Sequence, residues 1–156
     1  MGETVINKTD TKIIEALLSD ARLSYRQVGK KCGASAATAM THIRKMENEG
    51  IIQGYTVRLN HEKLGYEITA VTELVVPKGK MVEVGKQISN YPGVCSIYNI
   101  TGPSDGIVIA KFKNRKELSE FTKWMLSLPL IQRTNTHLVL NTVKEDFGPT
   151  LEFTVL

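Results

Sequence analysis

Two cysteines in 156 residues, Cys32 and Cys95, stand far apart and form no CxxC pair. That excludes a disulfide scaffold and offers no zinc-site spacing. Each lies among apolar or small residues, so both are expected as buried free thiols. Histidine is nearly as sparse. His42, His61 and His137 show neither metal-ligand nor nucleophile–base spacing, so no catalytic residue, metal ligand or cofactor is assigned, and an enzyme is the poorest reading. No apolar run is long enough to span a membrane, and the N-terminus lacks the apolar core of a secretory signal. The expectation is a cytoplasmic chain with no membrane partner. The most telling absence is local: from Ser24 to Met46 there is no Asp or Glu.

That acid-free stretch, SYRQVGKKCGASAATAMTHIRKM, carries Arg26, Lys30, Lys31, Arg44 and Lys45. Two short helical patterns flank a break at Cys32-Gly33-Ala34. A helix-turn-helix looks like this in sequence, and the pattern points to duplex DNA. The overall charge of +4 permits nucleic-acid contact without requiring it. Its distribution says more: residues 1–60 hold nine Lys/Arg against six Asp/Glu, whereas residues 61–156 hold eleven against ten. With 42% hydrophobic and 23% charged residues, the chain is ordinary for one or two small globular domains.

Three helices are expected in the N-terminal part. The first runs from about Lys8 to Leu18, with Asn7 as cap and Asp10 three positions later, and Ile13, Ile14, Leu17 and Leu18 on its apolar face. The second opens on Ser24-Tyr25-Arg26-Gln27, an S-x-x-Q capping box with Leu23 and Val28 placed as a hydrophobic staple, and ends at Gly33. Ser35 caps the third, which runs to about Glu49 with Ala36, Ala39, Met40, Ile43 and Met46 inward. Thr38, Thr41, His42 and Lys45 are expected nearer the outer face. On a helix entering the major groove, Thr38 and Thr41 can meet base edges, and His42 a base edge or a phosphate. Arg26, Lys30, Arg44 and Lys45 suit phosphate contacts. Taken singly, each basic residue reads equally well as solvated surface; the joint pattern carries the argument. Residues 51–59 read as a β segment interrupted by glycine, either a wing or a strand leading out.

The remainder reads β-α-β-β-α-β. Strands are expected at 68–76, 94–101, 107–112 and 131–143, with helices at 80–90 and from the Asn114–Glu117 capping box to about Leu126. Val94, Ser96 and Tyr98 should alternate with Cys95, Ile97 and Asn99. The order is ferredoxin-like. One sheet face would carry both helices; the other would present apolar residues that a second subunit covers. Two-fold symmetry would also suit paired DNA half-sites.

Across both halves the chain resembles the Lrp/AsnC, or feast/famine, family of prokaryotic transcription regulators. The resemblance rests on Asp10-Thr11-Lys12-Ile13-Ile14, Asp20-Ala21-Arg22, Ser35 with Thr38, and Glu49-Gly50-Ile51-Ile52-Gln53-Gly54-Tyr55. It continues through Pro92-Gly93-Val94, Thr101-Gly102 with Asp105, Thr134, Thr136, Val139-Leu140 and Val143-Lys144. It implies an α+β chain: an N-terminal winged helix-turn-helix, then a C-terminal ferredoxin-like βαββαβ domain for ligand sensing and oligomerisation. The boundaries follow: 1–50 helix-turn-helix, 51–65 β-wing and linker, 66–144 sensing domain, 145–156 tail. The half-apolar tail would either pack on a neighbouring subunit or stay loose.

The resemblance further implies a sequence-specific regulator of double-stranded DNA, with Ser35 joining the DNA-contacting residues. Homodimers would assemble into an octamer or other higher oligomer, and a small effector, commonly an amino acid, would sit in a cleft between dimers. The effector residues implied are Thr101, Gly102, Ser104, Asp105, Thr134 and Thr136. Chemically, amides around Gly102 can hold a carboxylate and Asp105 an ammonium, although the same residues can serve a turn alone. The chain departs from the family at Thr41-His42, where two basic residues are frequent, at Ala36, where proline is common, and at Pro129-Leu130-Ile131, where a glycine is usual. The alternative is a ligand-binding or metabolic protein of the same fold that has lost specific DNA binding.

Overall fold

The structure, a computed structural model, describes residues 6–146. Two compact units divide between Arg58 and Leu59.

In the first unit, α1 spans Lys8–Ser19, α2 Tyr25–Cys32 and α3 Ala36–Asn48. Each start is capped by its sequence. The Asn7 side chain accepts from the Thr9 and Asp10 amides at 2.8 and 3.0 Å, and Asp10 returns the bond by accepting from the Asn7 amide at 3.1 Å. Ser24 and Gln27 form the second box, and the Ser35 hydroxyl accepts from the Thr38 amide at 3.0 Å. Two glycines make the α2–α3 turn. Gly33 takes the left-handed conformation at φ 71°, which costs other residues energy. A Cβ on Gly29 would stand 2.8 Å from the Ala34 carbonyl oxygen, so the helices cross there because no side chain intervenes.

Ile13, Ala16, Val28, Cys32, Ala39, Ile43 and Met46 form the buried core, with Leu23, Ile51 and Ile52 against it. Ala36, expected inward, is exposed, because it occupies the first position of α3, outside the packed turns. The expected β segment at 51–59 is absent. The Ile51 and Ile52 amides both donate to the Met46 carbonyl, closing the C-terminus of α3, and none of residues 53–59 lies in a strand. β-Branched residues there favour extended backbone, but a strand needs a partner.

The second unit has β1 (Ile68–Val75), α4 (Met81–Ile88), β2 (Val94–Asn99), β3 (Gly106–Phe112), α5 (Arg115–Ser127) and β4 (Arg133–Leu138). All pairings are antiparallel in the order β2-β3-β1-β4, as the ferredoxin-like reading requires. Ala70, Leu74, Val108, Ala110 and Phe112 face Val84, Ile88, Phe121 and Met125 of the helices. The opposite face is mixed rather than apolar. Half-buried Val71, Val75, Ile107 and Ile109 share it with Glu73, Lys111, Asn135 and His137.

Two further expectations change. The alternation in β2 breaks at a bulge between Val94 and Ser96, which puts Val94 and Ile97 on the helix-facing core and leaves Cys95 exposed rather than buried. Cys32 is buried as expected, and burial raises its thiol pKa. The final strand stops at Leu138, not Val143. Val139 still donates to the Thr69 carbonyl, near the start of β1 at Ile68, and beyond it Leu140 and Val143 are almost wholly exposed. Most of the tail, residues 147–156, lies outside the described residues.

Candidate nucleic-acid interface and effector loop

The capping boxes and the Gly29–Gly33 crossing hold α2 and α3 in a fixed relation. All five basic residues of the acid-free stretch then fall on the solvent side. Arg26 and Lys30 of α2 and Arg44 of α3 are exposed and form no ion pair with any described residue, so their charges are available to an anionic partner. Lys45, also exposed, lies 3.9 Å from Glu49, a loose contact that competes weakly for its ammonium. The fifth, Lys31, reaches back to the Ser19 hydroxyl at 3.3 Å.

The polar residues of α3 are less uniform. Thr38 is exposed, and its hydroxyl lies 2.8 Å from that of Ser35, so the cap and the first turn share one hydrogen-bonded pair. Thr41 is exposed and donates to the Ala37 carbonyl at 3.0 Å, turning its hydroxyl along the helix. Both keep a methyl and oxygen lone pairs for a base edge. His42 is placed differently from the outward position expected. Its Nδ1 lies 2.6 Å from Oδ1 of Asp10, whose side chain is only 3% exposed. The ring points back to α1 because the buried carboxylate leaves few other ways to satisfy itself.

Sequence reasoning missed one contact of this unit. The Tyr55 hydroxyl donates to Glu47 Oε1 at 2.9 Å, joining the chain after α3 to the last turn of that helix. Burial, followed by the Glu47 hydrogen bond and charge, pushes the Tyr55 phenol up to about 12. Nothing in the spacing of Glu47 and Tyr55 announces this bond, since the intervening turn brings them together.

In the second unit, the loop between β2 and β3 is tied down on both sides. Asp105 accepts from the Val76 amide at 2.9 Å through Oδ2, and its own amide donates to the Leu74 carbonyl at 2.8 Å. The loop thus clamps the end of β1 rather than hanging free. Ser104 is buried and donates to Glu73 Oε2 at 2.8 Å, turning its hydroxyl away from solvent. Glu73 also meets His137 at 3.2 Å, and the Ser104 bond, then the His137 bond, hold its carboxyl below the usual carboxylate range. Thr101 and Gly102 remain exposed at the loop crest.

Thr134 pairs with Leu74 across β1, so it and Asp105 flank the same end of that strand. Thr136 sits one step further along, its hydroxyl 3.1 Å from that of Thr72. It lines an open cleft of about 400 Å³ with Arg115, Leu118, Ser119, Thr122 and Leu138, a lining that includes neither the loop nor Thr134. Thr134 and Thr136, two positions apart, thus share the helix-facing side of β4, Thr134 at the strand end held by the loop and Thr136 one step along it beside α5. Among the described residues, no cluster of His, Cys, Asp and Glu could hold a metal ion, and no helix is long and apolar enough to cross a membrane.

Comparison with known proteins covers both units. Residues 69–149 match the Lrp/AsnC ligand binding domain, and residues 6–53 match a winged helix-turn-helix DNA-binding family. An uncharacterised HTH-type transcriptional regulator of Pyrococcus furiosus is 44% identical over 142 residues, spanning 91% of this chain and 96% of that protein. HTH-type transcriptional regulator FL11 of Pyrococcus horikoshii is 34% identical, over 90% and 93% of the two chains. Among solved structures, AsnC of E. coli superposes with a TM-score of 0.84 at 23% identity, covering 92% of this chain and 97% of the other. A Neisseria meningitidis transcriptional regulator in complex with L-methionine gives 0.85 at 23% identity, over 92% and 95%.

Proposed function

This chain belongs to the Lrp/AsnC family of DNA-binding transcription regulators, which are not enzymes, and from that premise we propose that it reads specific duplex sites under the control of a small effector. The carrying observation is the exposed basic array that the acid-free stretch Ser24–Met46 sets on α2 and α3, with Arg26, Lys30 and Arg44 free of ion pairs among the described residues. Those side chains and Lys45 hold phosphates, while Ser35, Thr38 and Thr41 approach base edges. Fluorescence anisotropy on promoter duplexes tests this. Binding should weaken with salt, and Arg44→Ala should flatten the log–log salt slope by about 0.9, one phosphate contact. Folded protein that binds no duplex at low salt would favour the alternative, a ligand-binding protein of the same fold.

The effector reading rests on the loop 101–105. Its Asp105 clamp fixes the crest, where amides around Gly102 can meet a carboxylate, and Thr134 lies across the same strand end. An amino acid is the class supported by this chemistry and by the L-methionine complex of the Neisseria meningitidis protein. Calorimetry with a panel of amino acids should identify a binder, and Asp105→Ala should lower its affinity about tenfold or more by removing the clamp and a carboxylate oxygen. Equal affinity in the variant removes Asp105 from the site. Homodimers, and an octamer or other higher oligomer built from them in the cytoplasm, complete the reading. The half-buried Val71, Val75, Ile107 and Ile109 on the helix-free sheet face support such pairing.

A further inference from the structure

The reading helix of a helix-turn-helix must be held in a definite rotation, because base-edge hydrogen bonds fail when a side chain is displaced by a fraction of an ångström. In the first unit, most of what holds α3 is aliphatic: Ala39, Ile43 and Met46 against Ile13, Ala16 and Val28. Such packing is strong but weakly directional. One contact between α1 and α3 is different in kind. Asp10 Oδ1 and His42 Nδ1 lie 2.6 Å apart, a short distance for a nitrogen–oxygen hydrogen bond, and a bond of this kind is directional.

The carboxylate is anchored from the other side as well, since its Oδ2 accepts from the Asn7 amide in the α1 capping box. Asp10 therefore has a fixed position, and the His42 ring, 24% exposed at its side chain, has one direction in which to satisfy it. His42 directly follows exposed Thr41, precedes buried Ile43, and lies one helical turn beyond exposed Thr38. A bond at this position sets the angle at which those two threonines are presented.

We propose that His42 is a positioning residue for sequence discrimination: through Asp10 it locks the rotation of α3 against α1, instead of contacting DNA itself. This rests on the DNA-binding reading above and adds a residue that acts on specificity from inside the unit. Its signature is that specific binding depends on the pair while binding to random duplex does not. Phosphate contacts from flexible Arg and Lys side chains tolerate a small rotation that base-edge contacts do not.

The test uses the full chain, a duplex recovered by selection from a random-sequence library, and a random duplex of equal length. Wild-type protein must prefer the selected duplex; absence of that preference sinks the DNA-recognition reading itself and is thereby distinguished from failure of this inference. His42→Leu and Asp10→Asn should each reduce the preference about tenfold, with random-duplex affinity held within about twofold. The double variant should lose no more than either single variant, because both break one contact. His42→Asn, whose amide nitrogen sits close to the place of Nδ1, should recover most of the loss, and the salt slope should be that of wild type throughout.

Four results overturn the proposal. A preference untouched by Asp10→Asn but lost in His42→Leu makes His42 a direct reader. A salt slope reduced in the His42 variants makes it a phosphate contact. Equal losses on selected and random duplex make the pair a strut for folding alone, and so does an unchanged preference in every variant. Melting curves set an assay temperature at which each variant is folded. Should Asp10→Asn fail to fold, the comparison of His42→Leu with His42→Asn still decides.

Discussion

At the scale of single residues, two positions carry consequences that sequence pattern alone does not reveal. Gly29 sits inside a helix, where glycine is unfavourable, yet any Cβ there meets the backbone oxygens of Ala34 and Ser35 at 2.8 and 2.9 Å. Backbone cannot swing aside as a side-chain tip can. Gly29→Ala should therefore destabilise the protein, by about 1–3 kcal/mol despite the better helix propensity of alanine. Urea unfolding of the two proteins measures it. Glu73 is the second position. Its folded pKa is depressed, chiefly by the Ser104 hydrogen bond and then by His137. A depressed carboxylate stabilises the fold above its unfolded pKa, and that contribution disappears as pH falls through the folded value. Ser104→Ala should move the Glu73 titration upward toward the ordinary carboxylate range and shift acid unfolding to higher pH. Carboxyl-carbon NMR titration of wild type and variant follows both effects. A Glu73 titration unmoved by the substitution would remove Ser104 as its main cause.

At the scale of elements, the caps and the tether after α3 are the sensitive points. Ser24 satisfies the Gln27 amide while Gln27 returns to the Ser24 amide, so Ser24→Ala should cost about 1 kcal/mol, read as a lower denaturant midpoint. Tyr55 joins the chain leaving α3 to Glu47. Its phenol is raised to about 12, by burial first and the Glu47 bond next. Neutral tyrosine is the form the fold favours, so its contribution is complete below the unfolded value near 10 and is lost as pH rises toward about 12. An ultraviolet titration should show one tyrosine ionising late, and Tyr55→Phe should abolish that late step. These elements differ in how far the sequence announced them. The helix starts were legible to within a residue, because Asn7, Ser24, Ser35 and Asn114 cap by local chemistry. The β segment at 51–59 and the strand beyond Leu138 were over-read, because β-branched residues advertise extended backbone but cannot supply the strand it must pair with.

At the scale of the whole molecule, the helix-free face of the sheet is where assembly is expected. Ile109 stands on it opposite Val71 and beside the bulged strand. Ile109→Glu would place an unpaired carboxylate there, which a subunit interface does not tolerate. Multi-angle light scattering should show a smaller species for the variant than for wild type, with weaker binding to duplexes carrying two half-sites and little change on a single half-site. A variant that keeps the wild-type mass places the interface elsewhere. The mixed character of the face, with Glu73, Lys111 and His137 among the aliphatics, also means that the contact would be chosen by polar matching as well as by area.

The sequence by itself determined the order of elements, the helix caps, the acid-free basic stretch and the membership that follows from motifs spread over both units. All of these depend on residues a few positions apart or on composition, and such information survives in one dimension. Only tertiary structure decided which side chains of the Ser24–Met46 stretch stay available. It left Arg26, Lys30 and Arg44 in solvent, turned His42 to a carboxylate thirty-two positions earlier, and used Asp105 to clamp β1. The reason is physical: a buried carboxylate or a strand-end amide must find a partner in space, and the partner it finds is set by how distant segments pack.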